Sequence, residues 1–131
     1  MSKWTEQKIS QCLDAQWPGE WGIDPAHGSP GCIVYRSTEL DDSGHLDEEG
    51  GVYRSIPAIK LLAKVLKPGD ILLEVSGGSP TRPVGRVALF EGTRKEPAVC
   101  ANFLRTLRPS STVSSPFLRW LLMDLHQGSS I

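Results

Sequence analysis

Residues 66–83 read Leu-Lys-Pro-Gly-Asp-Ile-Leu-Leu-Glu-Val-Ser-Gly-Gly-Ser-Pro-Thr-Arg-Pro. Pro68-Gly69 stops whatever precedes it, the run Asp70–Ser76 has the apolar, β-branched character of a strand, and 77–83 is a glycine/proline loop carrying hydroxyls and one arginine. Val84-Gly-Arg-Val-Ala-Leu-Phe90 then reads as the returning strand, so the two runs form the arms of a wide hairpin. Upstream, Ile56, Ile59, Leu62, Val65 and Leu66 recur at three- and four-residue spacing behind Ser55 and Pro57, which predicts a helix over 55–67. A strand hairpin following a helix selects a mixed class over an all-helical or all-β one.

Outward from this passage the pattern continues. Gly31-Cys-Ile-Val-Tyr-Arg36 is a buried strand that ends in the polar Arg36-Ser37-Thr38. Residues 41–51 are acidic and glycine-rich, hence a loop, and the spacing of Asp41, Asp42 and Asp47 does not fit a calcium-binding loop. Residues 98–108 alternate and read as one further strand with Asn102 in its middle. At the two ends, 5–13 reads as a short amphipathic helix, and 17–31 as loop with Trp17 and Trp21 lying over the core. A helix is expected after Ser114 or Ser115 and Pro116, with Phe117, Trp120, Leu121 and Leu125 as its apolar stripe and Gly128 as its stop. The expectation is one α+β domain over 1–131, a mixed, strongly curved sheet with flanking helices and long loops.

At 131 residues the chain suits one domain, and 39% apolar with 22% charged residues is ordinary for a globular protein. No apolar run reaches the roughly 20 residues of a spanning helix, and no signal-peptide pattern is present, so a cytoplasmic protein without a membrane partner is expected. Cys12, Cys32 and Cys100 form no C-x-x-C pair and are read as reduced thiols, and Cys12, His27 and Cys32 match no common metal spacing. The net charge of −1 conceals a split: residues 1–51 sum to −7, whereas 75–119 sum to +5, mostly arginine. An arginine-rich stretch among Gly, Ser and Thr suits phosphates and guanine edges, although composition alone favours a solvated charged face.

Catalytic constellations are missing. Asp70 and Glu74 lack the lysine of a metal nuclease, and Lys67-Pro-Gly-Asp70 has no serine–base pair to make it a peptidase turn. The loop at 77–82 lacks the Gly-Lys-Ser/Thr ending of a phosphate-cradling loop, and His27, His45 and His126 form no triad. Gly69 in an unusual backbone angle and Asp70 holding nearby amides explain that turn structurally.

The order of the pieces is more informative than any one. Ile33-Val-Tyr-Arg-Ser-Thr-Glu-Leu40, Ser43-Gly-His-Leu-Asp47, Leu66 through Ser79, Val84-Gly-Arg-Val-Ala-Leu89, Ala101-Asn-Phe-Leu-Arg-Thr-Leu-Arg-Pro109, Ser115-Pro-Phe-Leu-Arg-Trp-Leu-Leu122 and Gln127-Gly-Ser-Ser-Ile131 occur in that sequence along nearly the whole chain. Together they resemble the target recognition domain of type I restriction-modification specificity subunits.

That resemblance implies a non-catalytic module that reads one half of a split site in double-stranded DNA. It would direct methyltransferase and endonuclease subunits, with S-adenosylmethionine bound by the methyltransferase partner and no cofactor on this chain. Matching the family's first strand end are Arg36, Ser37 and Thr38, and matching its glycine-rich loop and following strand are Ser76, Gly77, Ser79, Thr81, Arg82 and Arg86. Arg54, Arg105 and Asn102 are second candidates for DNA contact, Asn102 having a structural alternative in holding two strands together. Family members usually carry two such domains and long coiled-coil spacers, whereas this chain has no heptad run, so it reads as an excised, truncated or degenerate example. The competing reading is a protein-interaction domain or an inactive remnant that does not bind DNA alone.

Overall fold

The computed structural model describes residues 9–26, 31–75 and 85–129. It has two sheets where one curved sheet was expected. Strands β1 (Leu13–Pro18), β2 (Cys32–Tyr35), β3 (Val52–Arg54), β4 (Ile71–Glu74), β5 (Val87–Leu89), β6 (Ala98–Cys100) and β7 (Leu104–Pro109) are joined by helices α1 (Ala58–Lys64) and α2 (Ser115–Ser129). A four-stranded antiparallel sheet has the order β1-β7-β4-β5, and a three-stranded sheet the order β3-β2-β6. Mixed pairing is confined to the smaller sheet, where β2 runs antiparallel to β3 and parallel to β6.

Strand alternation explains how the layers stack. Ile33 and Tyr35 of β2, Ala98 and Cys100 of β6, Leu72 of β4, Ala88 of β5 and Leu104 of β7 share one buried cluster, so the two sheets pack face to face across it. On the outer face of the larger sheet, Ile71, Val87 and Leu107 meet Leu118 and Leu122 of α2. On the outer face of the smaller one, Cys32, Val34 and Val99 meet Trp21, Ile56 and Leu61 of α1. The order is α2, four strands, three strands, α1. All four residues of β2 are buried because both of its faces are covered.

The expected hairpin is present, with β4 and β5 paired antiparallel from Ile71↔Leu89 to Leu73↔Val87. Gly69 has φ of +98° and the Asp70 carboxylate accepts the Lys67 amide at 2.8 Å, so the turn before β4 has the roles expected for it. Four expectations change. Residues 9–11 are helical, yet Leu13–Pro18 is an edge strand held by the β7 ladder, where a helix end and loop were read. The run 98–108 is two strands separated by a turn at Asn102-Phe103. Helix α1 turns Ile59 and Leu62 outward, 85% and 81% exposed, and packs through Leu61. Helix α2 buries Leu118 and Leu122, leaving Phe117 and Trp120 stacked on each other and exposed.

Cys12, Cys32 and Cys100 are free thiols, and burial pushes Cys100 up to about 11. No described helix is long and apolar enough to cross a membrane, and among the described residues no group of three His, Cys, Asp or Glu could hold a metal. His27 lies outside the described residues.

Candidate nucleic-acid interface

Three segments distant in sequence meet at one edge. Strand β2 ends at Tyr35 and the chain turns through a single 3-10 turn, Ser37–Glu39. Glu39 is buried, and both its oxygens are engaged: Arg36 donates its amide and its guanidinium to it. Burial raises the pKa of Glu39, but the Arg36 bonds and the Gly51 amide outweigh it, and the carboxyl is held below its ordinary value. The result is a fixed platform with Ser37 half-buried and Thr38 exposed.

Beside it lies the turn between β6 and β7. Ala101, Asn102 and Phe103 line one side of a cleft of about 420 Å³, and Arg36, Ser37 and Thr38 line the other, with Trp21 completing it. The Val75 amide, at the end of β4, donates to the Phe103 carbonyl at 3.0 Å. Val75 thus brings one stem of the 76–84 segment to this edge.

The other stem arrives through Arg86. Its guanidinium donates to the carbonyl oxygens of Leu40 (2.9 Å) and Ser37 (3.2 Å) and to Glu74 Oε2 (3.1 Å), with Asp42 3.8 Å away. Burial would raise the pKa of Glu74, but the Arg86 hydrogen bonds bring it below the ordinary value. Arg86 therefore fastens the base of the hairpin to the 37–40 platform.

The remaining candidates divide. Arg54 donates to the Trp21 and Gly22 carbonyls and to Asp24, and its guanidinium lies 4.3 Å from the centre of the Trp21 ring, so it braces a wall of the cleft from behind. Arg105 bonds Gln16 on the neighbouring strand at 2.7 Å. Ser76, Gly77, Ser79, Thr81 and Arg82 lie outside the described residues. The charge split also changes meaning in space. The acidic and basic segments cross-link at Arg86–Asp42, Glu48 accepts the amides of Glu91, Gly92 and Thr93, and Arg54, which lies between the two segments, pairs with Asp24.

With this arrangement of layers, 93% of the chain superposes on the HsdS subunit from Thermoanaerobacter tengcongensis, with a TM-score of 0.64 and 20% identity. The fold is that of a segment of HsdS. A chain from a structure describing complex assembly and conformational transition of the type I R-M system matches over the same 93%, with a TM-score of 0.59 and 20% identity. The chain spans 27% of the length of each. No family model and no curated protein matches the sequence. The structural neighbours agree with the family resemblance drawn from the order of motifs. Within the HsdS-like fold, Trp21, Ala101 and Phe103 are the cleft residues that sequence reasoning did not nominate, and Asn102 was its pointer to that turn.

Proposed function

We propose that this chain is a sequence-specific double-stranded DNA recognition module of a type I restriction-modification system. It reads one half of a bipartite site and directs partner methyltransferase and endonuclease subunits to it. The chain itself is non-catalytic, and S-adenosylmethionine belongs to the methyltransferase partner. The observation that carries this reading is the likeness to HsdS over 93% of the residues. The geometry supports it, because the platform Arg36–Thr38, the turn Asn102-Phe103 and both stems of the 76–84 segment converge on one edge. Hydroxyls and guanidinium groups on such an edge suit phosphate oxygens, while side chains at its tip suit base edges. Arg36, Ser37, Thr38, Ser76, Gly77, Ser79, Thr81 and Arg82 take the direct contacts, and Arg54 and Arg86 act by positioning.

Selection of bound duplexes from a random pool tests the reading, followed by fluorescence anisotropy on the enriched site. An enriched sequence is expected, with log affinity falling linearly in log salt by about 0.9 per phosphate contact. Arg82→Ala should weaken binding by ~1–3 kcal/mol. A pool without enrichment, or affinity indifferent to salt, overturns it.

A further inference from the structure

The turn between β6 and β7 is built to hold two side chains outward. Leu104 N–H closes it onto the Ala101 carbonyl at 2.9 Å, and Ala101 N–H bonds the Tyr35 carbonyl at 2.8 Å. Three further amides donate into it: Val75 to Phe103, Gly19 to Leu104 and Glu20 to Cys100. The flanking Ala101 and Leu104 are buried. Between these anchors Asn102 and Phe103 are both exposed, Phe103 at 60%, and the Asn102 carboxamide makes no hydrogen bond to any described residue. A pinned backbone thus presents an open donor–acceptor pair next to an uncovered phenyl ring, facing a cleft whose other side carries Arg36, Ser37 and Thr38.

Resting on the DNA-reading function above, we infer that Asn102 and Phe103 together read one A·T base pair in the major groove. The carboxamide accepts from adenine N6 and donates to N7, and the phenyl ring covers the thymine methyl group. The complement is selective in chemistry. Guanine offers two acceptors there and favours arginine, whereas cytosine offers a donor and favours a carboxylate. Of the described residues that line the cleft, Asn102 is the one whose side chain carries a donor and an acceptor in one plane. Arg36, Ser37 and Thr38 across the cleft hold the phosphates that set the register.

The test uses the full chain, as wild type, Asn102→Ala, Asn102→Asp and Phe103→Ala, in parallel selections from random duplex pools. Because both side chains are exposed, circular dichroism and melting should be unchanged in all three variants. The wild-type motif should contain one A·T pair whose preference falls roughly 10- to 100-fold in Asn102→Ala. That position should move toward C·G in Asn102→Asp. Replacing its thymine by deoxyuridine removes only the methyl group and should weaken wild type about fourfold, the equivalent of ~0.8 kcal/mol for one buried carbon, while leaving Phe103→Ala unaffected. A wild-type motif that recurs unchanged in both Asn102 variants overturns this inference alone, as does a deoxyuridine penalty that persists in Phe103→Ala. A wild-type pool with no motif overturns both this inference and the DNA-reading function.

Discussion

Replacing Arg86 by alanine removes the fastening between the β4–β5 hairpin and the 37–40 platform. Four side-chain hydrogen bonds vanish: those to the carbonyls of Leu40 and Ser37 and two to the Glu74 carboxylate. Breaking a fully buried ion pair costs about 3–5 kcal/mol, and a hydrogen bond to a charged group contributes about 1.5–3. The side chains of Arg86 and Glu74 keep 29% and 20% of their exposure, so water returns to part of the site and the expected loss is about 2–3 kcal/mol. The contact to Asp42, itself 93% exposed, adds little because solvent screens it.

In urea unfolding followed by tryptophan fluorescence, with a slope of about 1.5–2 kcal/mol/M, the midpoint should fall by about 1–2 M. Arg86→Lys should recover less than half, since one ammonium cannot span two carbonyls and a carboxylate as the guanidinium fork does. Acid adds a second readout. The Glu74 carboxyl has a folded pKa below its unfolded value of 4.5, so its contribution is present above that value and lost as pH falls through the lower folded one. Arg86→Ala should flatten that segment of the stability profile. A loss below about 0.5 kcal/mol, the size of an ordinary surface change, together with an unaltered acid profile, would refute the fastening role.

A methyl group placed on Gly19 would lie 1.8 Å from the Ala101 carbonyl oxygen, so Gly19→Ala must displace the 101–104 turn or the end of β1. A loss of about 1–3 kcal/mol and a Tm lower by about 4–12 °C are expected, with amide shifts concentrated at 101–104; an unchanged Tm contradicts the close approach. On α2, Leu118→Ala should cost about 2–5 kcal/mol and the neighbouring Phe117→Ala under about 1, and denaturation giving the reverse order would mean that the helix presents its other face.

Much of the strand order was legible because it is written in local chemistry. The Lys67-Pro-Gly-Asp70 turn, the apolar Ile71–Leu73 run and the fully apolar Cys32–Tyr35 run identify their elements without reference to anything distant. What failed depended on partners. Leu13–Pro18 has few strand formers and ends in proline, and its extended shape comes from the β7 ladder alongside it. Spacing located α1 but not its buried face, since Ile59 and Leu62 satisfy helical periodicity as well as Leu61 does. The turn at Asn102-Phe103 carries neither glycine nor proline, so alternation was read straight through it. At the candidate site, the polar end of β2 could be found from sequence, whereas the engagement of Arg54 and Arg86 could not. Their partners, Asp24, Glu74 and the Leu40 carbonyl, lie between 12 and 46 positions away. Charge counted along a chain does not reveal which cations are already neutralised.

Pairing of β1 with β7 places Leu13 directly opposite Pro109. The segment between those residues is therefore an excursion whose two ends lie side by side. Such an excursion could be grafted into a longer protein, or exchanged for another carrying different tips, without stretching the flanking backbone. Such an exchange would alter the exposed tips and leave the paired ends of β1 and β7 where they are.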